Sequence, residues 1–223
     1  MGEVQDAYAG CRARIAELTS SLNAERAALP VPTCPGWSVH DVVAHVVGVV
    51  DDVLAGRTEG LATDPWTELQ VEARRTASIP EMLQEWANLA PSFEPLLDLA
   101  DRGRQALADI VTHEHDIRAA LGEPGARDSD AIQVAFDFIG YGFVGSAKAH
   151  GMVVQVRTTD GATFGSADDG AIVTGDRFEL FRALTGRRSV DQIRNLQWTG
   201  DAEAVLPAFT YGPFEPALVS VEE

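Results

Sequence analysis

Cysteine is scarce. The chain has two, Cys11 and Cys34, in 223 residues, with no paired Cys motif. That excludes a disulfide scaffold and fits a reducing compartment such as the cytoplasm. Positive charge is also short: 17 Lys and Arg face 34 Asp and Glu, a net charge of −17. Such a surface repels nucleic acid and anionic membranes, so neither is expected as a partner. No apolar run approaches the length of a membrane span. The N-terminal MGEVQDAYAGCRAR lacks the basic and apolar regions of a signal peptide. There is no internal repeat and no low-complexity segment. What the chain does have is a hydrophobic fraction of 45%, enough for a real core. Its length suits one large domain, or one domain with a smaller companion.

Periodicity predicts a mainly helical fold. Ala7, Cys11, Ile15, Leu18 and Leu22 recur at helical spacing and predict a first helix over residues 3–28. The Pro- and Gly-rich run LPVPTCPGW at 29–37 interrupts it. Ser38 then reads as an N-cap with Asp41 three residues on, opening a valine-rich second helix that ends at Gly56. His40, in its first turn, is expected to be exposed. Residues 58–78 read as a loop with a short helix anchored by Trp66. Pro80 opens a third helix that runs to Ala100 with Pro91 and Pro95 as interruptions. A fourth follows Gly103, and a further one spans 130–149, with His150 at its end. Beyond Gly151 the pattern changes. MVVQVRTTDGATF alternates around Asp160-Gly161 and predicts a hairpin. Short strands are expected at 171–174 and 195–198, helices at 176–185 and 202–209, a helical turn at 189–194, and a tail over the last fourteen residues. The expected architecture is a helical bundle over 1–150 followed by a small α/β domain over 151–223.

The stretch LADIVTHEHDIRAALG at 107–122 carries the chemistry. On a helical wheel, Ala106, Asp109, Ile110, Asp116, Ile117 and Ala120 fall within roughly 60° of His113. That face is apolar apart from Asp109, His113 and Asp116. Asp109 lies one turn before His113, so their side chains converge, whereas Glu114 and His115 point elsewhere. A carboxylate four residues before a histidine is half a metal site, and zinc takes three or four N, O or S ligands. His45, flanked by Val42, Val46 and Val49 on the second helix, is either a satisfied core histidine or the missing ligand. Cys11 reads as a small core residue, and Cys34 has no base or cation nearby in sequence.

CPGWSVHDVVAHVVG at 34–48, HEHDIRAALG at 113–122 and GDRFELFRALTGRRS…LQWTGD toward the C-terminus occur in order. Together they resemble the mycothiol-dependent maleylpyruvate isomerase family, a DinB-like metal-binding four-helix bundle with a sterol-carrier-protein-like C-terminal domain. The resemblance implies an up-and-down bundle and a divalent metal, zinc, on His45, Asp109 and His113. Asp109 stands where the family commonly has Glu. Asp116, on the same face, is a candidate partner to hold a histidine tautomer. Mycothiol is the implied thiol. A metal presents such a thiol as thiolate near neutral pH. Addition to a cis alkene conjugated with a carbonyl, rotation and elimination give isomerisation; attack on an epoxide or a leaving group gives S-transfer. Arg187 and Arg188 are candidates to bind a substrate carboxylate. A non-catalytic metal- or ligand-binding protein and a metal-dependent hydrolase are the other readings on this scaffold. A small-molecule substrate and thiol are the expected partners, and the chain is expected as a monomer or homodimer.

Overall fold

The computed structural model describes residues 2–99, 102–167 and 170–223. They form two compact units, one running as far as Gly125 (with Glu223) and the other from Ala126 to Glu222.

The first unit is a helical bundle. Helix α1 (Glu3–Thr19) stops nine residues short of its predicted end, and Asn23 caps a separate short α2 (Ala24–Ala27) by accepting from the Arg26 amide. Helix α3 (Val39–Leu54) starts where the sequence placed it. Ser38 and Asp41 satisfy each other's backbone amides in a capping box, and the valines that follow are buried almost all round. Helix α4 (Asp64–Ala73) is the short helix of the polar segment. Trp66 anchors it, buried and donating from Nε1 to the Arg57 carbonyl at 2.9 Å. Helix α5 (Ile79–Phe93) has Pro80 in its first turn and contains Pro91 without ending there, then tightens into one 3-10 turn at Glu94–Leu96. The predicted end of that helix, Ala100, lies outside the described residues. Helix α6 (Gly103–Leu121) carries the 107–122 stretch. Helix α3 packs on α4, α5 and α6, and α6 packs on α1. The four long helices α1, α3, α5 and α6 complete the bundle around Ile15, Val43, Met82, Trp86, Leu107 and Ile117.

The second unit begins with α7 (Asp130–Ala149). It continues through β1 (Val154–Thr158), β2 (Thr163–Gly165), β3 (Ala171–Gly175), α8 (Arg177–Leu184), α9 (Val190–Arg194) and β4 (Gln197–Thr199). The sheet order is β2-β1-β3-β4, with β1 and β3 parallel and both edges antiparallel. Helix α7 was expected to belong to the bundle. It packs instead on α8, β1 and β2, with the Phe136 and Tyr141 rings 5.3 and 5.0 Å from Phe164 of β2. Contacts therefore divide the chain at 125/126 rather than near 150. Two other expectations change. The helix predicted at 202–209 is only a 3-10 turn at Leu206–Phe209, because Pro207 supplies no amide hydrogen for a helix. The last fourteen residues are not a loose tail: Tyr211 Oη donates to the Leu184 carbonyl at 2.8 Å. The Gln192 side chain brackets the Val221 backbone at 2.8 and 3.1 Å. Among the described residues, no helix is long and apolar enough to cross a membrane.

Candidate metal centre

Three elements of the first unit meet at one point. Helix α3 supplies His45 from its valine-rich face, and α6 supplies Asp109 and His113 one turn apart. Their ligand atoms all lie within 4.8 Å of one another. Asp109 Oδ1 is 3.7 Å from His45 Nε2 and 3.7 Å from His113 Nε2. Those distances exceed a hydrogen bond and leave room for a small ion between three donors. Both rings are buried, while the Asp109 side chain is 36% exposed and forms the open side. Aspartate, although one methylene shorter than glutamate, reaches the convergence point.

The third element is the loop before α3. It closes on itself through Val31 N donating to Trp37 O at 2.9 Å and Trp37 N donating to Cys34 O at 3.0 Å. Gly36 sits at φ +86, a left-handed conformation that costs a side-chain-bearing residue about 1–2 kcal/mol. The closure lays Trp37 over both imidazoles, with ring centroids 5.2 Å from His45 and 6.4 Å from His113. It also hangs Thr33 and Cys34 over Asp116. Thr33 Oγ1 donates to Asp116 Oδ1 at 2.8 Å, and Cys34 Sγ donates to Asp116 Oδ2 at 3.4 Å. Asp116 Oδ2 in turn accepts from His113 Nδ1 at 3.0 Å. A carboxylate only accepts, so this bond puts the His113 proton on Nδ1 and leaves the Nε2 lone pair facing Asp109. Burial is the largest influence on His113 and pushes its pKa below the ordinary value; the Asp116 hydrogen bond and the Asp109 charge pull the other way without overcoming it. The ring is therefore neutral at neutral pH, the state that can ligate a metal. Trp37 also borders a cleft of about 600 Å³ between the loop and α4, lined further by Asp41, Glu68, Glu72 and Arg75.

The donor set fits a divalent ion of the zinc type: two neutral imidazole nitrogens and one carboxylate oxygen, with an exposed side for a further ligand. Cys34, His113 and Asp116 form a second cluster of possible ligands, sharing His113.

The remaining polar residues have other duties. Glu114 faces α1, where Arg14 grips it at 2.8 and 2.6 Å and the Cys11 thiol donates to it at 3.0 Å; Arg118, one turn on in α6, donates at 3.0 Å. Cys11 is fully buried as predicted, but it also donates. His40 is half-buried rather than exposed, with Nε2 2.8 Å from the Ala77 carbonyl. Arg187 and Arg188 belong to the second unit. Arg188 is buried and forked onto Glu179 at 2.9 and 3.0 Å. Arg187 Nη1 donates to the Thr185 carbonyl at 2.6 Å. One residue of the site carried no signal in the sequence: Gln70 of α4, whose Oε1 lies 2.7 Å from His45 Nδ1.

A family model described as the mycothiol maleylpyruvate isomerase N-terminal domain matches residues 8–113. That span takes in the loop, α3, α4 and α6 as far as His113. Among solved structures, the crystal structure of the mycothiol-dependent maleylpyruvate isomerase is similar at a TM-score of 0.54 and 10% identity. It covers 83% of this chain and 88% of that one. The crystal structure of a histidine-to-alanine mutant of mycothiol-dependent maleylpyruvate isomerase gives a TM-score of 0.57 at 9% identity, over 88% and 92%. At such identities the likeness speaks for the fold. No curated protein matches the sequence.

Proposed function

We propose that this protein is a metal-assisted, thiol-dependent enzyme acting on a small electrophile, a reading supported by the match of residues 8–113 to the model of the mycothiol maleylpyruvate isomerase N-terminal domain. On this reading, its reaction is cis–trans isomerisation of a maleylpyruvate-like substrate or transfer of the thiol sulfur. The observation that carries the reading is the meeting of two buried imidazole Nε2 atoms, each 3.7 Å from one oxygen of a partly exposed carboxylate.

His45, Asp109 and His113 would hold the ion. A divalent ion there supplies Lewis acidity, which favours the thiolate form of a thiol near neutral pH. The chain does the rest. Asp116 keeps the His113 lone pair aimed at the site, and Thr33 and Cys34 keep Asp116 in place. Trp37 covers the imidazoles and excludes water from their inner face, which strengthens every electrostatic interaction beneath it. The cleft that Trp37 shares with α4 offers a volume suited to a small organic thiol or its acceptor.

The test is metal content by elemental analysis on wild type, His45→Ala, Asp109→Ala and His113→Ala, followed by isomerisation of maleylpyruvate with and without mycothiol. Near-stoichiometric metal in the wild type, lost in the variants, with turnover only in the presence of thiol, is the expected result. Equal isomerisation in thiol-free buffer would overturn the thiol dependence. A wild type that takes up no metal on reconstitution would overturn the reading and leave a ligand-binding bundle.

A further inference from the structure

Gln70 is buried to 2% exposure on a helix that contributes no ligand, yet it touches the centre directly. Its amide bridges two groups: Oε1 lies 2.7 Å from His45 Nδ1, and Nε2 donates to Asp52 Oδ2 at 2.7 Å. The other oxygen of Asp52 accepts from Arg57 Nε at 2.7 Å. A carboxylate engaged by a guanidinium can only accept, so the Gln70 amide must turn its NH₂ toward Asp52 and its oxygen toward His45. An amide oxygen can only accept in turn, so the His45 proton sits on Nδ1. The lone pair is then left on Nε2, the atom that faces Asp109.

The backbone is shaped for this approach. Gly48 lies one turn after His45 on α3, and a Cβ there would fall 2.5 Å from Gln70 Cβ and 2.7 Å from its Cγ. Glycine at 48 clears the path by which α4 lays the Gln70 side chain across α3.

We propose that Gln70 is a positioning residue that sets the tautomer of His45, with Asp52 orienting its amide and Gly48 giving it room. This rests on the reading of His45 as a ligand, but its first readout does not. The experiment is long-range ¹H–¹⁵N correlation of the histidine rings in the metal-free, full-length protein, for wild type, Gln70→Leu, Gln70→Glu and Gly48→Ala, with a zinc titration of each. In the wild type, His45 should show a protonated Nδ1 and a bare Nε2. Gln70→Leu removes the acceptor at nearly the same volume. It should bring in the Nε2-protonated form and lower zinc affinity by about 10–100-fold, the usual effect of losing a residue that orients a ligand. Gln70→Glu keeps an acceptor toward His45 and should keep its proton on Nδ1, but it sets a carboxylate against Asp52 where the amide NH₂ donated, so only the tautomer is expected to be restored. Gly48→Ala should shift the tautomer without touching the amide. The His113 ring, held by Asp116, should keep its own tautomer throughout and so reports an intact fold.

A His45 ring that stays Nδ1-protonated in Gln70→Leu, with wild-type zinc affinity, overturns the proposal. So does a wild type already protonated on Nε2. If the tautomer follows Gln70 while no variant and no wild type binds zinc, the positioning role stands and the metal reading falls.

Discussion

Asp116 shows how much of the centre rests on groups that do not face the ion. It is fully buried, and it accepts from His113, Thr33 and Cys34. Asp116→Asn keeps the shape but offers an NH₂ on one side. With Thr33 donating to the remaining oxygen, that NH₂ turns to His113 Nδ1, and the ring must move its proton to Nε2. The expected result is zinc affinity lower by about 10–100-fold with an unchanged circular dichroism spectrum; competition against a chromophoric chelator measures it, and wild-type affinity would sink the assignment. At this scale the sequence was informative where spacing is the signal. Asp109 and His113 are four apart on one helix, and His45 stands out as a polar residue among valines. Gln70 was silent because a glutamine in a polar, mixed segment has nothing to distinguish it. Its partner His45 is 25 residues away, and the bond depends on the packing of α4 on α3.

Between elements, α1 and α6 are joined by a buried charge cluster on the side of α6 away from the metal centre. Glu114 has no exposed side-chain surface, and Arg14 and Arg118 reach it from partly exposed positions. Burial alone opposes its ionisation. The hydrogen bonds from Arg14 and Cys11, with the Arg14 and His115 charges, outweigh burial and hold its pKa below the ordinary value of 4.5. Burial and the Glu114 carboxylate push the Cys11 thiol up, so it remains a protonated donor. The unfolded chain then binds the Glu114 proton more readily than the folded one. The stabilisation is full above about pH 4.5 and is lost as pH falls through the lower folded value. Glu114→Gln should destabilise the protein by about 3 kcal/mol at pH 7, since it strips the charge from a buried pair. The gap to wild type should narrow as pH drops below about 4.5, as followed by urea denaturation. A gap that stays constant down to pH 3 would mean that Glu114 is not held ionised. Ser38→Ala removes half of the α3 capping box and should cost about 1 kcal/mol in the same assay. Helix starts were legible because caps and first-turn prolines are local chemistry. Helix ends were less so: the apolar stripe of α1 continues past Thr19, and only the separate cap at Asn23 shows where the chain breaks.

At the scale of the whole chain, the motif order at 34–48 and 113–122 indicated the bundle, yet the assignment of α7 to it did not hold. Phe136, Ile139 and Phe143 make α7 look like one more bundle helix, and only the partners of those side chains show that it belongs with the sheet. The division has a thermodynamic consequence. Every candidate ligand, and every group that orients one, lies between Thr33 and Asp116 in the first unit. An ion that binds only the folded site at 100 times its dissociation constant adds about 2.7 kcal/mol to the stability of whatever must open to release it. Amides of α3 and α6 that exchange by opening of the bundle should therefore slow by about 100-fold when zinc is added to the metal-free protein. Amides of β1, β3 and α8 should keep their rates, and a chelator should reverse the change. Hydrogen–deuterium exchange with peptide-level mass spectrometry reads both units in one sample, and His113→Ala supplies the control in which zinc protects neither. Equal slowing in both units would mean that they open together. No slowing in α3 and α6 would mean that the three side chains do not hold an ion, whatever their geometry.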